Sequence, residues 1–490
     1  MIEQPFIYEI NTWPWLQRLG THLGDVPGEV WDSIAATGAD AVWLMGVWQR
    51  SAAGIAIALA DDPLVQTFQE TLPDYMPDDV VGSPYCIRDY RVDDHLGGPE
   101  GLAQARAALA ARGVALILDF VPNHVAADHA WTTDHPEYFV GGGSDDLAAE
   151  PESFIEVSGR VLANGRDPYF PAWRDVVQLN AFSADLRAEV ASTLASIADQ
   201  CDGVRCDMAM LMLSDIFART WGERVGDPPD ADYWTSLIDG VHRTHPDFTF
   251  IAEAYWDLES VLQTQGFAYC YDKSLYDAFA ANTGPGAVHE RLLADPGYQR
   301  GLVRFLENHD EPRAASVFGV AQEKVAAVAT FTQLGAKLVY DGQMSGAVRH
   351  VPVQLGRFPD ELVDDGLAEF YGRLLQALQD RTFRTGDWAL CEVSGWDGNV
   401  SAGNLLAWTR SGDSRWLVVV NLSDRPAEGS VRVAWNDLRG NHYRLTDITR
   451  DIEYIRRGDD LHDGLYVELD PWLWHLFEIQ PADSSAAEEI

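Results

Sequence analysis

The chain has 490 residues, 47% of them hydrophobic, which is enough for one large α/β domain and a smaller module. Its formal net charge of −41 argues against nucleic acid and anionic membranes as partners. No apolar run is long enough for a membrane span, and the first residues lack the basic start and apolar core of a signal peptide, so we expect a cytoplasmic protein.

Eight short apolar runs alternate with helix-like segments along most of the chain, which is the pattern of a (β/α)8 barrel. Helical patterns separate the runs, for example over Pro99–Arg112, Ala184–Gln200 and Gln322–Leu334. The sequence therefore predicts an α/β fold, a TIM barrel built from residues 1–124 and 177–384. The predicted strands are Phe6–Ile10, Asp40–Met45, Ala115–Phe120, Gly203–Asp207, Phe248–Glu253, Phe267–Tyr271, Leu302–Leu306 and Lys337–Tyr340.

Two connections are longer than plain barrel loops, residues 46–84 after the second strand and residues 125–176 after the third. From about residue 385 the pattern changes to alternating strands with turn residues between them. This change predicts a C-terminal antiparallel β-sandwich over residues 385–482. The last residues, 483–490, are small and acidic, and we expect them to be disordered.

Four short segments each place a carboxylate at the end of a predicted strand. Carboxylates at the C-terminal ends of barrel strands are what acid-catalysed cleavage of a glycosidic bond needs. A single Asp or Glu at a strand end is usually a cap or a surface ion pair, so the argument depends on all four together. The segments are Asp119–His124 (DFVPNH), Gly203–Asp207 (GVRCD), Ile251–Glu253 (IAE) and Glu307–Asp310 (ENHD).

In order, content and spacing these segments resemble the α-amylase family of retaining glycoside hydrolases and transglycosidases, over roughly residues 5 to 480. The resemblance implies that residues 125–176 form the small excursion called domain B. It implies that Asp207 is the nucleophile and Glu253 the acid/base, as the chemistry of retaining enzymes requires. Asp310 would be the third carboxylate, which holds sugar hydroxyls and favours a distorted ring.

The resemblance also assigns residues that bind the sugar at the cleavage point. Arg205 is expected to keep Asp207 ionised and correctly aimed. His124 and His309 would donate to sugar hydroxyls, and Tyr85 would stack on the face of the ring.

Three further residues have weaker assignments. Asp119 and Asn123 are expected to support the structure of the site, with Asp119 bracing the strand arginine. Trp256 would shape the acceptor side, although a packed aromatic is an equal alternative. The apolar neighbours expected around Glu253, including Tyr255, would help that residue to hold a proton.

Several positions depart from the family pattern. Gln178 stands where many members carry an acidic calcium ligand, and Met210 and Leu211 stand where many carry Lys-His. Calcium binds about six to eight oxygens, usually with carboxylates among them, so we expect no metal and no other cofactor even though Asn123 remains. Gln343 replaces an acid after the eighth strand, which leaves substrate choice open.

The sequence thus favours hydrolysis of a short α-gluco-oligosaccharide or a small α-glucoside by double displacement. The main alternative is a transglycosylase or phosphorylase of the same family, with a sugar, a polyol or phosphate as acceptor. An endo-acting α-amylase, a catalytically inactive binding relative and an unrelated metal-dependent barrel lyase are less favoured. The small domain B, the apolar pair Met210 and Leu211, and the long segment 46–84 predict a pocket rather than an open groove. Linkage and oligomeric state stay open.

Five cysteines without a zinc-like pattern are expected to be reduced thiols. The acidity has two explanations. Three of the 35 basic residues are lysines, which fits a GC-rich genome. A dense carboxylate surface also fits a salt-rich cytoplasm, because salt screens the repulsion between like charges.

Overall fold

The computed structural model describes residues 2–482, so the predicted tail at 483–490 lies outside the described residues. Eight parallel strands close into a barrel in which chain neighbours are also spatial neighbours, the eighth strand pairing with the first. The predicted (β/α)8 barrel is confirmed. In chain order the barrel strands are Phe6–Asn11, Ala41–Met45, Ala115–Phe120, Gly203–Cys206, Thr249–Ala252, Tyr269–Tyr271, Leu302–Arg304 and Ala336–Tyr340.

The barrel strands were recognisable because both faces of each strand are covered. Every residue of Ala41–Met45 and of Ala336–Tyr340 is buried. Parallel strands that are buried on both faces appear as continuous apolar runs rather than as alternating patterns.

The fourth and fifth strands end one residue earlier than predicted, before Asp207 and Glu253. The backbone N–H of Asp207 still donates to Phe120 O at 2.9 Å, and that of Glu253 to Cys206 O at 3.0 Å. Met208 then turns the chain with a left-handed φ of 44°. Both carboxylates therefore stand at the rim of the barrel, where the strands have ended.

Helices follow most barrel strands, and none within residues 2–482 is long and apolar enough to cross a membrane. The α-helices are Thr12–Leu19, Gly28–Ala36, Ala52–Ala60, Asp62–Thr71, Gly98–Ala110, Trp131–Asp134, Ser144–Ala149, Ala184–Ala198, Ser214–Trp221, Tyr233–His242, Glu259–Thr264, Lys273–Ala280, Pro285–Leu292, Pro296–Arg300, Ala314–Phe331, Asp365–Leu378, Thr382–Thr385 and Gly458–Asp463. Short 3-10 turns lie at Leu23–Asp25, Pro77–Asp79, Asp94–Leu96, Pro136–Tyr138, Ala209–Met212, Gly222–Arg224, Gln343–Ser345 and Ser401–Asn404.

By internal contacts the chain divides into two units. The first comprises Ile7–Tyr271 and Arg349–Asp360, and the second comprises Ile2–Phe6, Asp272–Val348 and the residues from Glu361 onwards.

Within the first unit, the long segment after the second strand is helical. Ala52–Ala60 and Asp62–Thr71 form two helices, and their core includes Phe68, Val351 and Leu355. The Ser51 hydroxyl and the Asp61 carboxylate cap the two helices, which is why a polar residue precedes each apolar run.

Residues 125–176 contribute most of a four-stranded antiparallel sheet in the first unit. The strand that comes first along the chain pairs with the one that comes last, so that His124 lies opposite Gln178. A separate two-stranded pair joins Trp48–Arg50 to Ile87–Val92. In spatial order the strands of the larger sheet are His124–Ala126, Trp173–Gln178, Arg160–Gly165 and Phe154–Val157.

The second unit contains the C-terminal β-structure. A six-stranded and a three-stranded antiparallel sheet enclose an apolar core that includes Leu417, Val467 and Phe477, as the predicted sandwich requires. The strands are Asp387–Leu390, Glu392–Ser394, Leu405–Ser411, Arg415–Asn421, Ala427–Arg432, His442–Asp447, Ile452–Arg457, Leu465–Leu469 and Trp474–Ala482.

One predicted helix of the second unit differs in its start. The pattern predicted Gln322–Leu334, whereas the helix spans Ala314–Phe331 with a break at Gly319, whose φ is 68°. Because a glycine takes positive φ without steric cost, the chain turns there between two helical stretches.

Candidate active site

Arg205 joins the two carboxylates expected to carry the chemistry. Its Nη1 lies 2.8 Å from Oδ1 of Asp207, and its Nη2 lies 2.8 Å from Oε2 of Glu253. All three side chains are buried. Burial alone would lower the pKa of Arg205, but the charge of Glu253 and other neighbours raises that pKa well above its usual value, so the guanidinium stays cationic.

The surroundings of Glu253 are more polar than the sequence predicted. The Tyr255 hydroxyl donates to Oε1 at 2.7 Å, and the backbone N–H of Met208 donates to Oε2 at 2.6 Å. Tyr255 was expected as an apolar neighbour, yet it turns its hydroxyl towards the carboxylate. These donors and Arg205 stabilise the ionised form of the group.

Three aromatic rings surround the Arg205 guanidinium. The Arg205 Cζ lies 5.1 Å from the ring centroid of Tyr85, 5.3 Å from Trp43 and 5.7 Å from Tyr271. Arg205 Nε also donates to the Tyr271 hydroxyl at 3.4 Å. The sequence analysis assigned Tyr85 to the site but did not single out Tyr271 or Trp43. The available signal was that Tyr271 ends the sixth barrel strand.

Asp119 supports the end of the second barrel strand. Its Oδ2 accepts the backbone N–H of Gly46 at 2.7 Å. Gly46 has a φ of 77°, and a Cβ there would lie 2.6 Å from Pro84 Cβ, so only glycine fits this turn. Asp119 therefore stabilises the turn at Gly46.

His124 lies in the first unit against the ring of Trp173, with 5.3 Å between the ring centroids. Burial lowers the pKa of His124 to about 4, against a smaller opposing effect of Asp175. The imidazole is therefore neutral near pH 7, and its neutral form can donate one hydrogen bond.

The side-chain amide of Gln178 lies at the position where many family members are expected to bind calcium. Three oxygens lie within hydrogen-bond distance of its Nε2: Asn123 O at 2.9 Å, Asn123 Oδ1 at 2.8 Å and Leu179 O at 3.0 Å. A hydrogen-bond donor thus points at the oxygens that a cation would need, so these residues do not fit a bound calcium. Across residues 2–482 no group of three His, Cys, Asp or Glu side chains is arranged to hold a metal ion.

Asp310 and His309 belong to the second unit and follow the seventh barrel strand. His309 is buried and its Nε2 lies 3.0 Å from Oδ2 of Asp310, whose side chain is 41% exposed. Asn308 holds the turn, because its Oδ1 accepts the backbone N–H groups of Asp310 and Glu311. The Asp310 carboxylate therefore stands on a fixed turn and is partly exposed to solvent.

Three residues that the sequence linked to substrate choice are buried. Met210 and Leu211 lie in a 3-10 turn with no exposed surface of note, so they do not line an acceptor side. In the second unit, Gln343 is also buried and donates to the Tyr371 hydroxyl at 2.9 Å. Trp256 is half-buried and has a left-handed φ of 65°.

A family model of the α-amylase catalytic domain matches residues 19–276. Among curated proteins, the α-amylase MalA of Haloarcula japonica is 24% identical over 445 residues, which covers 86% of this chain and 56% of that protein. α-Amylase 3 of Dictyoglomus thermophilum is 22% identical over 276 residues, with 52% of each chain covered. The chain spans about half the length of these two relatives.

Solved structures share the fold over nearly their whole length. An α-amylase from Lactobacillus plantarum is 19% identical with a TM-score of 0.70, covering 97% of this chain and 98% of the other. A cyclic α-maltosyl-(1→6)-maltose hydrolase from Arthrobacter globiformis is 18% identical with a TM-score of 0.65, covering 98% and 100%. Identities this low show the fold alone. The catalytic-domain match covers more than half of the chain, and the chain therefore belongs to the α-amylase family of glycoside hydrolases.

Proposed function

We propose that this chain is a retaining glycosidase that hydrolyses α-glucosidic bonds of short oligosaccharides or small glucosides. The observation that carries the proposal is that a single buried guanidinium, Arg205, holds both Asp207 and Glu253. Retaining enzymes keep their two carboxyl groups about 5–5.5 Å apart, whereas inverting enzymes need roughly 6.5–9.5 Å to admit a water. Sharing one guanidinium favours the shorter separation.

In the first half-reaction, the Asp207 carboxylate attacks the anomeric carbon while Glu253 gives its proton to the leaving oxygen. The glycosidic C–O bond breaks and a glycosyl ester forms. Because one Arg205 cation cannot neutralise two carboxylates, repulsion between them favours retaining one proton on the pair. The first half-reaction requires that proton to be on Glu253 when the leaving oxygen departs.

In the second half-reaction, Glu253 takes a proton from water as the water oxygen attacks the anomeric carbon, and the ester bond to Asp207 breaks to release the sugar and the free carboxylate. Once Asp207 is an ester it carries no charge, so the Arg205 cation pairs with Glu253 alone. This pairing stabilises the ionised Glu253 that the step requires. The same guanidinium thus suits both states of the acid/base residue.

The remaining site residues take the roles that the family motifs imply. Tyr85 stacks on the sugar at the cleavage point, and neutral His124 donates to one of its hydroxyls. Asp310, with His309 beside it, has the family role of binding sugar hydroxyls. Neighbours named as α-amylases, a maltogenic α-amylase and a cyclic α-maltosyl-(1→6)-maltose hydrolase support an α-glucosidic substrate.

The test is product analysis on α-linked disaccharides and short maltodextrins, with the first-formed anomer followed by proton NMR. We expect free sugar with the α configuration retained. An inverted product would exclude the Asp207 ester. Parallel reactions with phosphate or a polyol identify the alternative, because a transglycosylase or phosphorylase would form the glycosylated acceptor instead of free sugar. Failure to cleave any member of the panel would point to a binding relative.

A further inference from the structure

Arg410 is a buried cation in the second unit, within the strand Leu405–Ser411 of the C-terminal sandwich. The residue is fully buried. Its Nη2 donates to Thr382 O at 2.9 Å, but Nε and Nη1 have no acceptor among the described residues. Buried N–H donors that stay unpaired cost free energy, and a buried charge without a counter-charge costs more.

A second arginine without a carboxylate partner lies close to Arg410. Arg300 ends the helix Pro296–Arg300 and is half-buried, and its guanidinium makes no hydrogen bond or ion pair within residues 2–482. Burial and then the positive charge of Arg300 lower the pKa of Arg410 to about 9, against a smaller opposing effect of Asp387. Arg410 is still cationic near pH 7, so two like charges repel each other here.

Aromatic side chains line the surroundings of the Arg410 guanidinium. Arg410 lies opposite Trp388 on one neighbouring strand and opposite Trp416 on the other, and residues opposite each other share a face of the sheet. The ring centroid of Phe383 lies 5.7 Å from Arg410 Cζ. Trp388 Nε1 is a further buried donor without an acceptor in the described part of the chain. Positive charge and unpaired donors thus share an apolar region.

The acidic residues near this region are directed elsewhere. Asp380 accepts the backbone N–H of Thr382 at 2.8 Å and the Ser414 hydroxyl at 2.6 Å. Asp387 is exposed and forms no ion pair with Arg410. The chain has 76 acidic residues against 35 basic ones, so a shortage of carboxylates does not explain an unpaired arginine pair.

We propose that Arg300 and Arg410 bind a small monovalent anion, represented by chloride, between their guanidinium groups. The anion accepts from Nε and Nη1 of Arg410 and from Arg300, and its charge offsets the repulsion between the two cations. The ion must be small, because Arg410 is fully buried. The site joins the strand Leu405–Ser411 to the helix Pro296–Arg300, so it stabilises the second unit and takes no part in the proposed glycosidase chemistry.

The acidity of the molecule does not prevent such a site. The net charge of −41 repels anions at long range, but salt screens this repulsion over about 8–10 Å at roughly physiological ionic strength. Two guanidinium groups in contact with the ion act over a much shorter distance and in a less polar surrounding. A water molecule would accept the same hydrogen bonds but would leave the two positive charges without compensation.

The experiment measures Tm in potassium chloride and in potassium gluconate at equal concentration, so that the cation and the ionic strength are matched. Gluconate is too large to enter beside a fully buried arginine. The variants are Arg300→Gln, Arg410→Met and Asp387→Asn. The exposed Arg444→Gln, in another strand of the same six-stranded sheet, is the matched control.

We expect the wild-type Tm to be roughly 2–4 °C higher in chloride than in gluconate. Arg300→Gln and Arg410→Met should lose most of this difference, whereas Arg444→Gln should keep it. Asp387→Asn should lower the chloride concentration that gives half of the effect, because it removes a negative charge near the site. If Arg410→Met does not fold, Arg300→Gln decides the question, since Arg300 has no partner of its own to lose within residues 2–482.

Crystals grown with bromide test the position of the ion directly, because bromide scatters anomalously. A bromide peak between the two guanidinium groups would support the inference, and a water molecule there without bromide would overturn it. Equal chloride effects in the wild type, Arg300→Gln and Arg410→Met would also overturn it.

Two other results would contradict the proposed ligand. Stabilisation by phosphate but not by chloride would indicate a larger oxyanion. A loss of Tm in Asp387→Asn, with no chloride effect in the wild type, would show that Asp387 itself pairs with Arg410. These measurements do not use turnover, so they stand whether or not the proposed glycosidase activity is found.

Discussion

At the scale of single residues, Arg205 governs the charge of the site because one buried cation faces two buried carboxylates. The contacts of Glu253 with Tyr255 and Met208 hold the proposed acid/base in one position. Such an arrangement makes both carboxylates depend on Arg205, since removing the cation would leave two buried carboxylates without compensation.

Asp207→Asn should lower kcat by several orders of magnitude while the fold is retained, because the amide cannot form the glycosyl ester. Steady-state kinetics on maltotriose and far-UV circular dichroism check this. Asp199→Asn, which changes an exposed carboxylate of the same unit, should leave the rate unchanged. More than about a tenth of the wild-type rate in Asp207→Asn, equivalent to only ~1.4 kcal/mol of barrier, would remove Asp207 from the nucleophile role.

Glu323 is a buried carboxyl group that the mechanism does not use. The Tyr371 hydroxyl donates to its Oε1 at 2.9 Å, and burial raises the pKa of Glu323 from 4.5 to about 7. The folded state therefore holds a proton that the unfolded state has already lost above pH 4.5. The contribution of Glu323 to the free energy of unfolding therefore falls by roughly 3 kcal/mol as the pH rises from 4.5 to 7. Above that range this contribution no longer changes with pH.

Glu323→Gln should therefore be more stable than wild type at pH 8 by up to about 3 kcal/mol, with little difference near pH 4.5. The glutamine still accepts from Tyr371 but does not titrate. Urea unfolding at the two pH values measures the change, and the exposed Glu290→Gln is the control. A wild-type protein that is the more stable of the two at pH 8 would contradict an elevated pKa.

At the scale of elements, Gln178 ties the sheet of residues 125–176 to the loop after the third barrel strand. Its amide donates to Asn123 and to Leu179 O, where a metal-binding relative would use a cation. An amide N–H group and a cation can each bind oxygens that converge on one point, but the two cannot occupy that point together. We therefore propose that this junction is independent of calcium.

Calcium and chelators should leave the wild-type Tm and rate unchanged. Gln178→Leu removes the donor from buried oxygens and should cost about 1–3 kcal/mol, with no response to calcium. Gln178→Glu places a carboxylate among the same oxygens, so it should be destabilised without metal and regain Tm when calcium is added. Thermal scans with EDTA and with calcium measure these effects, and a calcium-dependent Tm in the wild type would refute the proposal.

At the scale of the whole molecule, the net charge of −41 imposes self-repulsion that salt screens. If the acidity is an adaptation to salt, Tm should rise by several degrees from low salt to molar potassium chloride. Sucrose at matched osmolality is the control, because it leaves charge unscreened. A flat profile with salt would instead indicate that genome composition set the balance of basic residues.

The shape of the substrate is also a whole-molecule property. Segment 46–84 contains two helices that share an apolar core with Val351 and Leu355, and we predict that it closes one end of a pocket. The ratio of kcat/KM for maltotriose to that for soluble starch, per chain, should then favour the short substrate. A fast fall in starch viscosity, with starch as the better substrate, would replace the pocket by an endo-acting groove.

The sequence alone determined the barrel and the candidate residues of its site. Strands buried on both faces appear as apolar runs, and the carboxylates stand at the ends of those runs, so the topology and the candidate site residues were both visible along the chain. The motif containing Arg205 and Asp207 was sufficient to anticipate their ion pair, since residues two apart on a strand share a face.

Only the tertiary structure decided where side chains point beyond the strand ends. Met208 and Trp256 turn the chain with left-handed φ values, which carries Met210 and Leu211 into the interior and brings Trp256 against Tyr169. The sequence likewise did not indicate that the Tyr255 hydroxyl points towards Glu253. Loop backbone angles and partners distant in sequence set these directions, and neither leaves a periodic pattern along the chain.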